Sequence, residues 1–236
     1  MTTGVPTTYL RWMAEGHHYF LTCVQAVDNA ELMRPTALPG WTGRHLLSHV
    51  GHNARALARL AHWAETGNET PMYAGPQARD SEIETGAGWS AARLRDFVVE
   101  EQERLDAALG RIGEERWQAP VVTAQGRTVP ATDIPWLRGR EVWIHAADLP
   151  GAGDFNAFPD DFTDALIEDA IRRRRGAQAL GISVRATDRE GVPAVGGDTT
   201  IEGPASGLAR WLTRGVASPG VRNTSGGPLP ALPAWL

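Results

Sequence analysis

A glutamate and a histidine four positions apart, Glu141 and His145, put two metal-type donors one turn from each other on any helix that contains them. A further imidazole, His49, falls in the run HLLSHVGHN at 45–53. Two imidazoles and one carboxylate leave coordination positions open, as catalytic zinc or non-haem iron requires; the ligand types do not choose between those metals. Other readings of the same residues stand beside this one. A histidine on an apolar face can be a hydrogen-bonded core residue, and Glu141 could pair with an arginine. His45 and His49 are also four apart and could form a pair of their own, so spacing leaves the third ligand open. Asp148, three residues past His145, could orient its imidazole or pair at the surface.

Two helices must bring these donors together. Apolar residues at helical spacing predict a first helix over 6–27 and a second over 41–65, with Thr42 as its N-cap. On the second, Leu46, Val50, Asn53, Leu57 and Leu60 share a face; His49 projects within it, and His45 and His52 lie toward its flank. Residues 66–88 carry glycines, prolines and mixed charges and read as a long loop of the kind that is often functional. A third helix, capped by Ser90, covers 91–109, and 121–130 reads as extended chain around a Gln125–Gly126 turn. The fourth helix spans 132–149, with Ile134, Leu137, Glu141, His145 and Asp148 on one narrow stripe. Side chains on facing helices are how metal sites in bundles are built.

The pattern changes near Pro150. Residues 151–159 read as a linker and 160–174 as an amphipathic helix ending in the arginine run 172–175, which the helix dipole favours there. The segments ISVRATD and DTTIEG alternate like strands, a short helix begins near Ala205, and the tail is Pro-rich. The expected organisation is a four-helix unit over 1–150 and a small α+β unit over 151–236.

Composition narrows the classes. The chain has 236 residues, 42% hydrophobic and 22% charged, which excludes disorder and fibrous repeats. A formal charge of -5 argues against general nucleic-acid binding. The single cysteine, Cys23, excludes an internal disulfide and a multi-cysteine zinc module, and it reads as a structural residue of the first helix. The N-terminal stretch lacks the basic start and apolar core of a secretory leader, and no apolar run is long enough to span a membrane, so a reducing cytoplasm is the expected setting. The 9 tryptophans read as packing residues.

Six stretches carry a family resemblance: GWTGRHLLSHVGHNARAL at 40–57, HWAETGNETPMY at 62–73, VTAQGRTVPA at 122–131, WLRGREVWIHAADL at 136–149, and the C-terminal RWLTRGVASPGV and PALPAWL. The chain resembles the mycothiol-dependent maleylpyruvate isomerases over essentially its whole length. The histidine pattern is shared across the wider DinB-like metalloenzymes, whereas its combination with AQGRTVP and REVWIHAADL is more specific. The resemblance implies a DinB-like four-helix bundle followed by a small α+β domain similar to sterol carrier proteins. It implies a divalent metal, usually taken as zinc, on His49, Glu141 and His145, and a functional arginine that maps to Arg214. It leaves His52 without a ligand role.

The implied reaction converts maleylpyruvate to fumarylpyruvate in gentisate degradation, a step of aromatic catabolism. Rotation about an intact double bond is prohibitively slow, so a thiol must add and leave again. The resemblance names mycothiol as that thiol, activated by the metal, and gives Arg214 a carboxylate or a developing enolate to bind. Arg79 and Arg127 are lesser candidates for anion contacts and read more simply as surface residues. Two other functions fit parts of the pattern: a mycothiol S-transferase on the same scaffold, and a non-catalytic metal-stabilised bundle attached to a binding domain.

Overall fold

The first helix, α1 (Thr7–Ala26), buries Trp12, Met13, Gly16, Phe20, Cys23 and Val24, the three-to-four spacing of one helical face. It opens a computed structural model that describes residues 4–174, 181–190 and 197–232. Helix α2 (Gly43–Thr66) starts at Thr42 in a capping box: the Thr42 side chain takes the backbone of the third helical residue, and the His45 ring returns to the Thr42 backbone. Gly67, at φ 80, ends α2 in the left-handed conformation that a residue without a Cβ adopts freely. Ser90 caps α4 (Ala91–Leu109) by accepting from Arg93 N at 3.2 Å. The expected turn at Gln125–Gly126 joins β1 (Pro120–Val122) and β2 (Thr128–Pro130), which pair antiparallel with Val121 opposite Val129. Helix α5 (Asp133–Asp148) follows.

One expectation is corrected. The segment 66–88 is not a loop throughout, since α3 (Ala78–Ala87) lies inside it. Its sequence, ARDSEIETGA, buries only Ile83 and Gly86, so it offers no apolar stripe to read. Tertiary contacts hold it in place: Ser48 Oγ on α2 donates to Ile83 O at 2.8 Å. A Cβ on Gly86 would come within 2.3 Å of that same Ser48 oxygen, so α3 can lie against α2 only with glycine there.

Helices α1, α2, α4 and α5 form the bundle, with α2 packed on α4 and α5, and α1 on α5. The bundle holds two apolar clusters. One includes Leu57, Leu60, Leu105, Leu109 and Ile134; the other includes Phe20, Leu46, Val50, Leu94, Val98 and Val142. Each fully buried leucine among them contributes roughly 2 kcal/mol relative to exposure. Between the clusters each of three helices places one polar side chain: Asn53 on α2, Gln102 on α4 and Arg138 on α5. Arg138 is fully buried, and its guanidinium donates to Gln102 Oε1 at 2.8 Å, Val50 O at 2.8 Å and Asn53 Oδ1 at 3.0 Å. Burial lowers its pKa to about 10, so it is a cation at neutral pH.

The chain divides into two compact units, Met1–Gly153 and Asp154–Leu236. The second contains α6 (Asp160–Arg174), β3 (Ile182–Ala186), β4 (Thr199–Gly203), α7 (Ala205–Arg214) and the two-residue β5 (Arg222–Asn223), which sequence patterning did not reveal. In its sheet β3 and β4 run parallel, with Val184 opposite Ile201, and β5 pairs antiparallel to β4. Helix α7 packs on α6, β3 and β4 and buries Leu208, Ala209, Trp211 and Leu212. At the end of α6, Arg172 and Arg173 bond back to buried Asp169, at 3.0 and 2.6 Å. The Arg174 side chain, Arg175 and the last four residues of the Pro-rich tail lie outside the described residues. The architecture is a helical bundle with a small sheet-containing domain. Among the described residues no helix is long and apolar enough to cross a membrane.

Candidate metal centre

His49 points from α2 toward α5, and Glu141 and His145 point back from α5. His49 Nε2 lies 2.8 Å from Glu141 Oε2, and His145 Nε2 lies 3.2 Å from the same oxygen. The two imidazole rings meet edge to face with centroids 4.9 Å apart. One ligand atom from each of the three residues falls within 4.8 Å of the other two. Both histidines are buried, and the Glu141 side chain is 17% exposed. The arginine one turn before Glu141, Arg138, gives its hydrogen bonds to Gln102, Asn53 and Val50 O, although its charge and that of Glu141 are felt by each other.

The histidines that spacing could not separate are separated by their hydrogen bonds. His45 Nδ1 is 2.8 Å from Thr42 Oγ1 and 3.2 Å from Thr42 N, so its ring is spent on the cap of α2. His52 Nδ1 is 2.9 Å from Ser48 O, and its ring packs at 4.7 Å from Phe97. Only His49 of the three reaches Glu141. Asp148 takes the inward of its two readings: it is buried, and its Oδ2 lies 2.8 Å from His145 Nδ1. That contact directs Nδ1 to the aspartate, so Nε2, which faces Glu141, is the ring nitrogen a metal would take.

The electrostatics suit a metal. Burial lowers the His49 pKa to about 4, against the opposing pull of Glu141, so the ring is neutral at pH 7 and its lone pair is available. Burial alone would lift the Glu141 carboxyl, but hydrogen bonds from His145 and His49 outweigh it and hold the group well below the usual carboxylate range. Burial also opposes charge on His145, yet the Asp148 and Glu141 contacts prevail and raise its pKa above the ordinary value. The buried His49 Nδ1 has no hydrogen-bond partner. Two imidazoles sharing one carboxylate oxygen, one of them braced by an aspartate, is a donor set that fits a divalent ion.

Trp41, Arg79 and Tyr73 lie near this group; of the three, the sequence named only Arg79, as a lesser candidate for an anion contact. The Trp41 ring, just before the α2 cap, lies 5.2 Å from the His49 ring. Arg79 on α3 sits with its guanidinium carbon 5.8 Å from the Trp41 ring centroid, and its charge is felt at His49. Tyr73 feels both Arg79 and Glu141, and burial pushes its phenol up to about 12. A tryptophan or arginine outside a periodic helix carries no sequence signal for such a position. Arg214 belongs to the second unit, in the last turn of α7, where its Nη1 donates to Thr213 O at 3.2 Å and Gly215 closes the helix. Cys23 is buried in the Phe20–Val142 cluster with its sulfur 3.6 Å from Ala152 O.

Residues 13–150 match the family model described as mycothiol maleylpyruvate isomerase N-terminal domain. A crystal structure of a mycothiol-dependent maleylpyruvate isomerase superposes with a TM-score of 0.89 at 36% identity, over 98% of this chain and 97% of that one. The chain belongs to this family. A second maleylpyruvate isomerase structure, of a histidine-to-alanine mutant, matches with a TM-score of 0.88 at 35% identity over the same shares. A search of curated proteins gave no match. Family membership covers both units of the chain, because the structural match runs nearly end to end.

Proposed function

We propose that this chain isomerises maleylpyruvate to fumarylpyruvate, with mycothiol as the thiol cofactor and a divalent metal, zinc as the family resemblance implies, on His49, Glu141 and His145. The end-to-end match at 36% identity to a mycothiol-dependent maleylpyruvate isomerase carries this reading. When bound, the metal and mycothiol together supply a stabilised thiolate for reversible addition to the substrate double bond, which becomes single long enough to turn.

The chain's own residues do the rest. His49 and His145 offer neutral ring nitrogens, and Glu141 offers one negative charge, so the centre keeps an open position for sulfur. Asp148 holds the His145 ring in the orientation that presents Nε2. The protein's own thiol is unsuited to the nucleophile's part: Cys23 is buried, and burial raises its pKa, so an external thiol is required. Arg214 supplies a guanidinium for a carboxylate or for the negative charge that develops on the carbonyl oxygen. With a single cysteine and no disulfide to maintain, the protein suits a reducing cytoplasm.

The test is an isomerase assay on purified protein, with mycothiol present and absent, before and after metal removal by a chelator. Turnover should require both the thiol and the metal and should return when zinc is restored. In the same assay Arg214→Ala should keep its metal and lose most of its rate. Isomerisation that proceeds at full rate without thiol, or mycothiol conjugates that accumulate in place of fumarylpyruvate, would refute the reading.

A further inference from the structure

The proposed substrate carries two carboxylates, and the centre described above offers them little attraction. A divalent ion, the Glu141 carboxylate and a thiolate have no net charge between them. A dianion approaching such a centre needs a cation supplied from beside the metal. Within the helical unit, most arginines near the bundle are already committed. Arg55 and Arg104 bond Glu101, Arg59 bonds Met72 O, Arg116 bonds Ala64 O, and Arg138 is enclosed between the clusters.

Arg79 differs from these. It is the second residue of α3, and its guanidinium carbon is 5.8 Å from the centroid of the Trp41 ring, which in turn lies 5.2 Å from the His49 ring. Its ion-pair partner is the adjacent Asp80, whose side chain is 75% exposed; a pair so open to water holds a guanidinium weakly and occupies few of its donors. The position is nonetheless fixed, because α3 is seated on α2 by the Ser48–Ile83 hydrogen bond and by the close approach at Gly86. The same helix α2 supplies His49, so the guanidinium and the metal donor are held by one element.

We propose that Arg79 is a substrate-binding residue of the helical unit, taking one carboxylate of the dianion beside the metal centre while the reacting carbons face the sulfur. This rests on the isomerase reading for the identity of the substrate. The chemistry it assigns is narrower: recognition of a short dicarboxylate by a guanidinium held over a tryptophan ring.

Arg79→Gln, loaded with zinc and checked for metal content, is compared with the parent protein in two measurements. The first is kinetic. The KM for maleylpyruvate should rise about 10- to 100-fold, the range expected for one lost charge-assisted contact. The KM for mycothiol and the metal content should stay unchanged, and Arg127→Gln, in the exposed hairpin turn, should match the parent. The second is calorimetric binding of maleate to the zinc-loaded protein, which needs no turnover; binding should be measurable in the parent and lost in Arg79→Gln. A parent protein that binds maleate but does not isomerise maleylpyruvate would sink the isomerase reading and leave the role of Arg79 standing. An unchanged KM in a zinc-loaded Arg79→Gln, equal maleate binding in both proteins, or no maleate binding by the parent would overturn the proposal.

Discussion

Glu101 on α4 and Glu141 on α5 are two carboxylates withdrawn from water in one bundle, and they are neutralised by different chemistry. Glu101, 1% exposed, accepts from Arg55 at 2.7 Å and from Arg104. Those guanidiniums are permanent cations, so the glutamate's charge is matched at every physiological pH. Glu141 takes its hydrogen bonds from imidazoles, His49 and His145, whose charge depends on pH. The first arrangement is electrically complete. The second leaves the carboxylate to bases that can lose their protons, at the point where three donor atoms converge, and that is a place a divalent ion would fit. Burial of an acid therefore says little about function; the kind of base facing it says more.

Exchanging each acid for its amide tests that difference most directly. Glu141→Gln should lose its metal and drop turnover by roughly 100-fold or more, since a charged ligand is gone. Glu101→Gln should keep metal and turnover and lower unfolding stability by about 2 kcal/mol, the cost of hydrogen bonds to a charged group. Metal analysis, the isomerase assay and denaturant unfolding on both variants decide it. Metal loss from the Glu101 variant would erase the distinction.

Removing the brace should have a smaller effect. Asp148→Asn keeps the size of the side chain but weakens its hold on His145 Nδ1, and metal affinity should fall about 10- to 100-fold in a chelator competition. An unchanged affinity would mean that packing alone orients the ring.

Acid gives the mildest and most graded perturbation. The pKa of His145 is raised above 6.5 because the contacts with Asp148 and Glu141 outweigh burial. Metal needs the neutral ring, so protons compete with it as pH falls through that raised value. The apparent zinc affinity should drop about tenfold per pH unit below it, the slope for one displaced proton. A pH-independent zinc affinity between pH 5 and 7 would show that the two acids are not as different as their partners suggest.

Much of the site was legible in the sequence because helices convert spacing into direction. Glu141 and His145 at one-turn spacing, on a stripe shared with Ile134 and Leu137, had to face the same way, and the structure places them so. The ambiguity between His45 and His49 could not be removed by periodicity, because a hydrogen bond decided it: Thr42 draws His45 into the cap. Helix α3 was missed for a related reason. Its ten residues hold no apolar stripe, and its stability comes from a serine and a glycine facing each other across α2 and α3, a relation between distant residues. The placement of Arg79 beside Trp41 follows from that docking, so the sequence could name Arg79 only as a lesser candidate for an anion contact. The strand β5, two residues long, is defined by its partner β4 and has no pattern of its own.

The seating of α3 on α2 also bears on how this scaffold can change. The stretch between α2 and α4 leaves the bundle and returns without giving a donor to the candidate metal centre. Its charge and length are therefore free to drift while the candidate metal centre stays intact, provided glycine remains where the two helices touch. New specificities on this framework should arise first in that stretch, as exchanges of Arg79 for neutral or acidic side chains.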